Sequence, residues 1–210
     1  MPVNRPTLIR AGVALGVMGL VVGGIFAGRT VLKPQKKVAP PKQQADVKGF
    51  TTVFDRRTGI RVSYPKTWEN FERTDADPQV PLIAGPSGGA VFVQIRVCSY
   101  PQEIARDAVP ALGEGFSAIV KTDKTDVAEQ KQVVVAGLPG WYYLYRFYDE
   151  GVKQEGVHSH YFLIDKAKLV QLVLEVRPTS DFKKFADTFD KIANSFKSTT
   201  ATGPIPPCAQ

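Results

Sequence analysis

Gly140-Trp141-Tyr142-Tyr143-Leu144-Tyr145-Arg146-Phe147-Tyr148 is the stretch that decides how the rest of the chain is read. In an extended segment successive side chains point to opposite faces. Trp141, Tyr143, Tyr145 and Phe147 therefore face one way. Tyr142, Leu144 and Tyr148 face the other, with Arg146 among them. A strand that is apolar on both faces is expected to be central in a sheet covered above and below. Upstream, Val127 to Val135 reads as a partner strand, turned at Gly137-Leu138-Pro139-Gly140. Downstream, Gly156 to Ile164 and Lys168 to Val176 read as a hairpin around Asp165-Lys166-Ala167. On its second strand Val170, Leu172, Leu174 and Val176 make a buried face, and Gln171 and Glu175 a wetter one.

Further out the pattern stays one of short strands. Phe50 to Phe54 and Gly59 to Tyr64 form a hairpin, closed at Pro65 because proline cannot donate to a ladder. Pro81 to Ala84 reads as a short strand. Ala90 to Tyr100 alternates, with Val91, Val93, Ile95 and Val97 opposite Gln94, Arg96 and Cys98. Residues 102–121 read as a helix kinked or split by Pro110, Gly113 and Gly115. Phe182, Phe185, Phe189, Ile192 and Phe196 recur at helical spacing and give one apolar stripe, with Pro178-Thr179-Ser180-Asp181 supplying a cap. The order of elements predicts an α+β domain, an antiparallel β-sheet with helices packed on it.

The chain is 210 residues long, with 43% hydrophobic and 22% charged residues, which excludes a disordered chain. Residues 1–48 hold eight of the 27 basic residues and one of the 20 acids, so residues 49–210 carry 19 of each. A domain of zero net charge has no overall pull on polyanions, and no nucleic-acid partner is expected. Ala11 to Gly28 is uncharged and mostly apolar; with Leu8 and Ile9 it is long enough to span a bilayer of about 30 Å. The expected organisation is a short tail at 1–7, a transmembrane helix at 8–28, a basic proline-containing linker at 29–48, a globular domain at 49–197 and a disordered tail at 198–210. Ile25-Phe26-Ala27 is a poor cleavage site, so the span reads as an uncleaved signal-anchor. Counting Arg5 and Arg10 before it against Arg29, Lys33, Lys36, Lys37 and Lys42 after it places the domain in the cytoplasm.

The segment Gly59-Ile60-Arg61-Val62-Ser63-Tyr64-Pro65-Lys66-Thr67-Trp68, the aromatic strand after its Gly-rich turn, and the closing Ile192-Ala193-Asn194-Ser195-Phe196 together resemble the PsbP-like fold family. That family is named for an extrinsic subunit of photosystem II and is shared with a Ran-binding nuclear transport factor. Gly137 to Trp141 with Val157 to Phe162 is also similar to small membrane-anchored actinobacterial envelope proteins. Over about residues 50–197 the resemblance implies an αβα sandwich and an accessory or assembly role without catalysis. It also implies an extracytoplasmic domain, against the charge count. The uncleaved anchor and the lysine-proline linker depart from the photosynthetic member, and no photosystem role or ion-site residue is carried over.

Little of the chemistry-bearing inventory is arranged in a motif. His158 and His160 lie two apart on a predicted strand and share a face; as metal ligands they are weak candidates that need a third group from Cys98, Asp149 or Glu150. Cys98 and Cys208 either bridge, tying the tail to the sheet, or stay as free thiols. Gly113 to Ala118 fits G-x-G-x-x-A by letter but lacks the strand–turn–helix setting of a dinucleotide site. Trp141, Tyr143, Tyr145, His158 and His160 are candidates for a partner surface or pocket. No catalytic residue and no cofactor is expected. The function expected is that of a non-enzymatic, single-span accessory subunit docking on a larger membrane or envelope protein complex, such as a respiratory or transport assembly, and held in the lipid bilayer by its helix. The alternative is a ligand- or metal-binding envelope domain using His158, His160 and their aromatic neighbours.

Overall fold

A computed structural model of the chain describes residues 48–71 and 77–208. The expected tail, anchor and all but the last residue of the linker lie outside the described residues. Among those described, no helix is long and apolar enough to cross a membrane. The elements follow in the order β1 (Phe50–Asp55), β2 (Ile60–Pro65), β3 (Glu69–Asn70), β4 (Leu82–Gly85), β5 (Val91–Ser99), a 3-10 turn (Arg106–Leu112), α1 (Gly113–Val120), β6 (Thr125–Val135), β7 (Leu138–Asp149), β8 (Gln154–Asp165), β9 (Lys168–Val176), α2 (Phe182–Ser195) and β10 (Lys197–Ser198).

Seven strands form one antiparallel sheet in the order β3-β4-β5-β9-β8-β7-β6, and β1-β2-β10 form a second, small one. The alternation of the strands makes two cores. On one face of the large sheet, Val93, Ile95, Leu172 and Leu174 pack under α2 and the small sheet, through Phe189, Ile192, Phe196, Val62 and Tyr64. On the other face, Cys98, Tyr143, Phe162, Ile164 and Leu169 pack under the 3-10 turn and α1, through Val109, Phe116 and Val120. The α+β fold with its antiparallel sheet and packed helices therefore stands as expected. Pro110 lies within the 3-10 turn, and the α-helix begins only at Gly113, the split that the sequence implied.

Three expectations are corrected. The aromatic strand β7 is not central: it lies next to the edge strand β6, and β9 is the middle strand. Its second face is covered by other rings and by long side chains instead of by a helix, with Tyr142 tilted against Tyr161 at 4.8 Å and Lys131 over the Tyr142 ring at 5.0 Å. The edge strand itself carries a bulge between Val127 and Glu129, with Glu129 and Lys131 paired at 2.7 Å on its exposed surface. The cap expected before α2 makes no side-chain bond to the helix's backbone amides; a 3-10 turn at Thr179–Asp181 leads in, and the Asp181 carboxylate pairs instead with the Lys184 side chain.

The third correction is the tail. Residues 198–208 are bound along their length, because the backbone has partners although the side chains have little apolar surface. β10 adds to β2, and the amides of Thr199, Thr202 and Gly203 donate to the carbonyls of Gly59, Arg56 and Arg57. Ser99 and Cys208 exchange bonds with the backbone where the tail meets the end of β5. The buried Lys168 ammonium joins three segments here, donating to Thr58 O and Thr199 O while pairing with Asp165 at 3.2 Å. Gly59 is required at this crossing. Its φ is +74°, and a Cβ there would lie 2.3 Å from Thr199 O. Cys98 and Cys208 are joined by a disulfide that closes 110 residues.

Candidate functional site

The face of the large sheet that carries α1 is divided in two. Under the 3-10 turn and α1 it is an aromatic core: Trp141 Nε1 donates to Val109 O at 3.1 Å, Tyr143 Oη donates to Gly113 O at 2.8 Å, and Phe162 stacks on Phe116 at 4.5 Å. Gly113 is where helix meets strand, since a Cβ on it would lie 2.5 Å from the Trp141 ring. Trp141 and Tyr143, expected at a partner surface, thus hold the helix to the sheet, and Tyr143 is wholly buried. Gly113 to Ala118 is likewise a packing segment within α1. Replacing Tyr143 with phenylalanine is expected to cost about 1–2 kcal/mol, the effect of leaving a buried carbonyl without its donor. The chemical denaturation midpoint reports it, and an unchanged midpoint would show that Gly113 O finds water.

Beyond the helix the same face turns polar. The register sets Tyr145 opposite His158, and His158 opposite Glu175, on β7, β8 and β9. His158 Nε2 lies 2.5 Å from Glu175 Oε2, and its Nδ1 lies 2.7 Å from Tyr145 Oη. His160 Nδ1 reaches the same phenol at 3.2 Å, while its Nε2 meets Gln171 Oε1 at 3.2 Å. Glu175 continues the chain outward: its Oε1 is 3.0 Å from Arg177 Nε, an ion pair too bent for a hydrogen bond. Arg177 also pairs with Asp149 and donates to Gly89 O at 2.8 Å. Tyr145, His160 and Glu175 are only 8%, 6% and 7% exposed. Phe147 covers the His158 ring at 4.3 Å, and Phe162 stacks under His160 at 4.0 Å.

The sequence singled out the two histidines and Tyr145, and the fold brings these three together. The other proposed third ligands lie elsewhere. Cys98 is in the disulfide, Asp149 is taken by Arg177, and Glu150 pairs with Lys124 at 3.3 Å. Among the described residues, no three His, Cys, Asp or Glu side chains converge on one point. Glu175 and Gln171 were passed over as the wetter face of β9. Their signal was two polar residues on one face of a strand otherwise buried throughout.

Burial governs the protons. Loss of water holds the His160 imidazole down to about 3, with His158 and Arg96 acting in the same direction and the Gln171 bond opposing them. Burial, with Glu175 nearby, raises the Tyr145 phenol well above its ordinary range. An unfolded chain protonates this imidazole near pH 6.5. The unfolded state therefore binds more protons between there and about 3, and stability is lost as pH falls through that window. The share from His160 is about 2 kcal/mol at pH 5. Denaturation of metal-free protein at pH 8 and pH 5 tests this: wild type should weaken by about that much more than His160→Gln. Equal losses would remove the assignment.

No protein-family model and no curated protein matches the chain. Solved structures do. The solution structure of cyanobacterial PsbP (CyanoP) from Synechocystis is similar at 15% identity and a TM-score of 0.50, over 73% of this chain and 95% of that one. LpqN, involved in cell envelope biogenesis of Mycobacterium tuberculosis, is similar at 12% identity and a TM-score of 0.51, over 72% of this chain and 91% of its own. A protein from Bacteroides thetaiotaomicron reaches 0.51 at 11% identity, over 72% of this chain and 49% of that one. The chain has the PsbP-like fold.

Proposed function

We propose that this PsbP-like domain is a non-enzymatic accessory subunit, tethered to a membrane by residues 8–28 and docking outside the cytoplasm on a larger protein complex. The observation that carries the reading is the closure of the cluster formed by Tyr145, His158, His160 and Glu175. Both nitrogens of His158 and both of His160 face protein atoms, and Tyr145 sits between them with little exposure. A general base or nucleophile must reach a substrate, and none here does. Two open clefts among the described residues are lined by neither histidine; the larger of the two, about 450 Å³, is lined by residues that include Asp123, Lys124, Asp126, Arg146, Tyr148 and Glu155. The Cys98–Cys208 bridge suits an oxidising compartment. LpqN, with its envelope role, adds a neighbour of the same fold in that setting. A tether raises the local concentration of a membrane partner, so that a modest contact suffices.

The test is isolation of the full chain from its native membrane in mild detergent, followed by identification of what accompanies it. A defined membrane complex should co-purify in fixed proportion. Recovery of the chain alone from every membrane fraction would overturn the reading.

A further inference from the structure

With both imidazoles neutral, the hydrogens around Tyr145 do not balance. Glu175 Oε2 and Gln171 Oε1 can only accept, so the Nε2 atoms of His158 and His160 that face them carry the hydrogens. A neutral imidazole with its hydrogen on Nε2 has a bare lone pair on Nδ1. Two such lone pairs then point at Tyr145 Oη, from 2.7 and 3.2 Å, and the phenol has a single hydrogen to give. In that state the place has one acceptor too many, a surplus that a proton on His158 beside Glu175, or a metal cation, would remove.

A cation corrects it. We propose that His158 Nδ1, His160 Nδ1 and Tyr145 Oη are the ligands of a structural site for a borderline divalent transition-metal ion, zinc or copper(II). Atoms bound about 2.0–2.1 Å from such an ion at tetrahedral angles lie about 3.3 Å apart; Tyr145 Oη stands 2.7 and 3.2 Å from the two Nδ1 atoms, so the phenol has to draw back from His158 as the ion enters. The outer partners are those a metal-bound imidazole needs: each Nε2–H is directed to an oxygen, one a carboxylate and one an amide, which fixes the tautomer and turns Nδ1 inward. Two imidazoles select against calcium and magnesium, which take oxygen. Charge is matched as well. The ion displaces the phenol's proton, and phenolate and Glu175 together neutralise it, while Arg177 with Asp149 and Arg96 with Asp77 are already paired. The phenol gives up its proton to solvent as the ion takes its place, so binding is coupled to proton release. The ion would join β7 to β8 directly and β9 through its outer partners, with its fourth position left to water.

The test uses the full chain without a polyhistidine tag, stripped with chelator and titrated with zinc by calorimetry and with copper(II) by absorption. One ion per chain should bind with release of a proton, and the copper adduct should show a phenolate-to-copper charge-transfer band. Tyr145→Phe should abolish the band, His160→Gln should weaken zinc binding at least about 100-fold, and Glu175→Gln about 10- to 100-fold. X-ray absorption fine structure of the zinc-loaded wild type, which needs no variant to fold, should show two imidazole ligands and one short oxygen. Overturning results are a folded wild type that binds no stoichiometric ion, a zinc spectrum without imidazole, or a Tyr145→Phe protein with an unchanged band. A metal-free protein in which the Gln171 amide donates to His160 would give the first of these.

Discussion

Arg177→Met is expected to lower the unfolding free energy by about 3–5 kcal/mol, the cost of breaking a buried ion pair from one side. The guanidinium contacts Glu175, Asp149 and the carbonyl of Gly89, so methionine removes a charge from two carboxylates and a donor from a turn. Glu175 is the more damaging loss, because it is buried and would be left with His158 alone. Urea denaturation gives the measurement. A double-mutant cycle with Glu175→Gln separates the pair from the rest: the second substitution should cost markedly less once Arg177 is gone. Additive costs would mean that Arg177 acts through the Gly89 turn. Arg177→Lys should recover only part of the loss, since an ammonium cannot fork between three acceptors.

Removing the bridge should be about as severe. Cross-linking a loop of about 100 residues restricts the unfolded chain by up to about 4.7 kcal/mol, and Cys98 and Cys208 are 110 apart. The Cys98→Ser, Cys208→Ser double variant is expected to lose about 3–5 kcal/mol, and limited proteolysis should then cut within residues 204–208. The remaining tail bonds, to Arg56, Arg57 and Gly59, keep the folded geometry defined. A loss below about 1 kcal/mol would show that the unfolded chain already holds these ends together.

What could be read in advance was local. The hairpin of β1 and β2, the aromatic strand, the β8–β9 hairpin and the stripe of α2 all follow from periods of two and 3.6, which need only neighbours in sequence. The shared face of His158 and His160 follows from the same period. Their meeting with Tyr145 and Glu175 does not, because it depends on the register between β7, β8 and β9. The place of β7 was misread because aromatic rings can cover one another. A strand apolar on both sides then need not have a helix over each. The tail was misread because its order rests on backbone bonds to residues 56–59 and 99, and backbone groups carry no sequence signature.

That last feature sets when the domain can finish folding. β2, made among the first strands, waits for β10, and Cys98 waits for Cys208. Until residue 198 has been synthesised the small sheet lacks its third strand, and until residue 208 the bridge cannot form. A chain that cannot lock early stays open at this end until its last residues are in place.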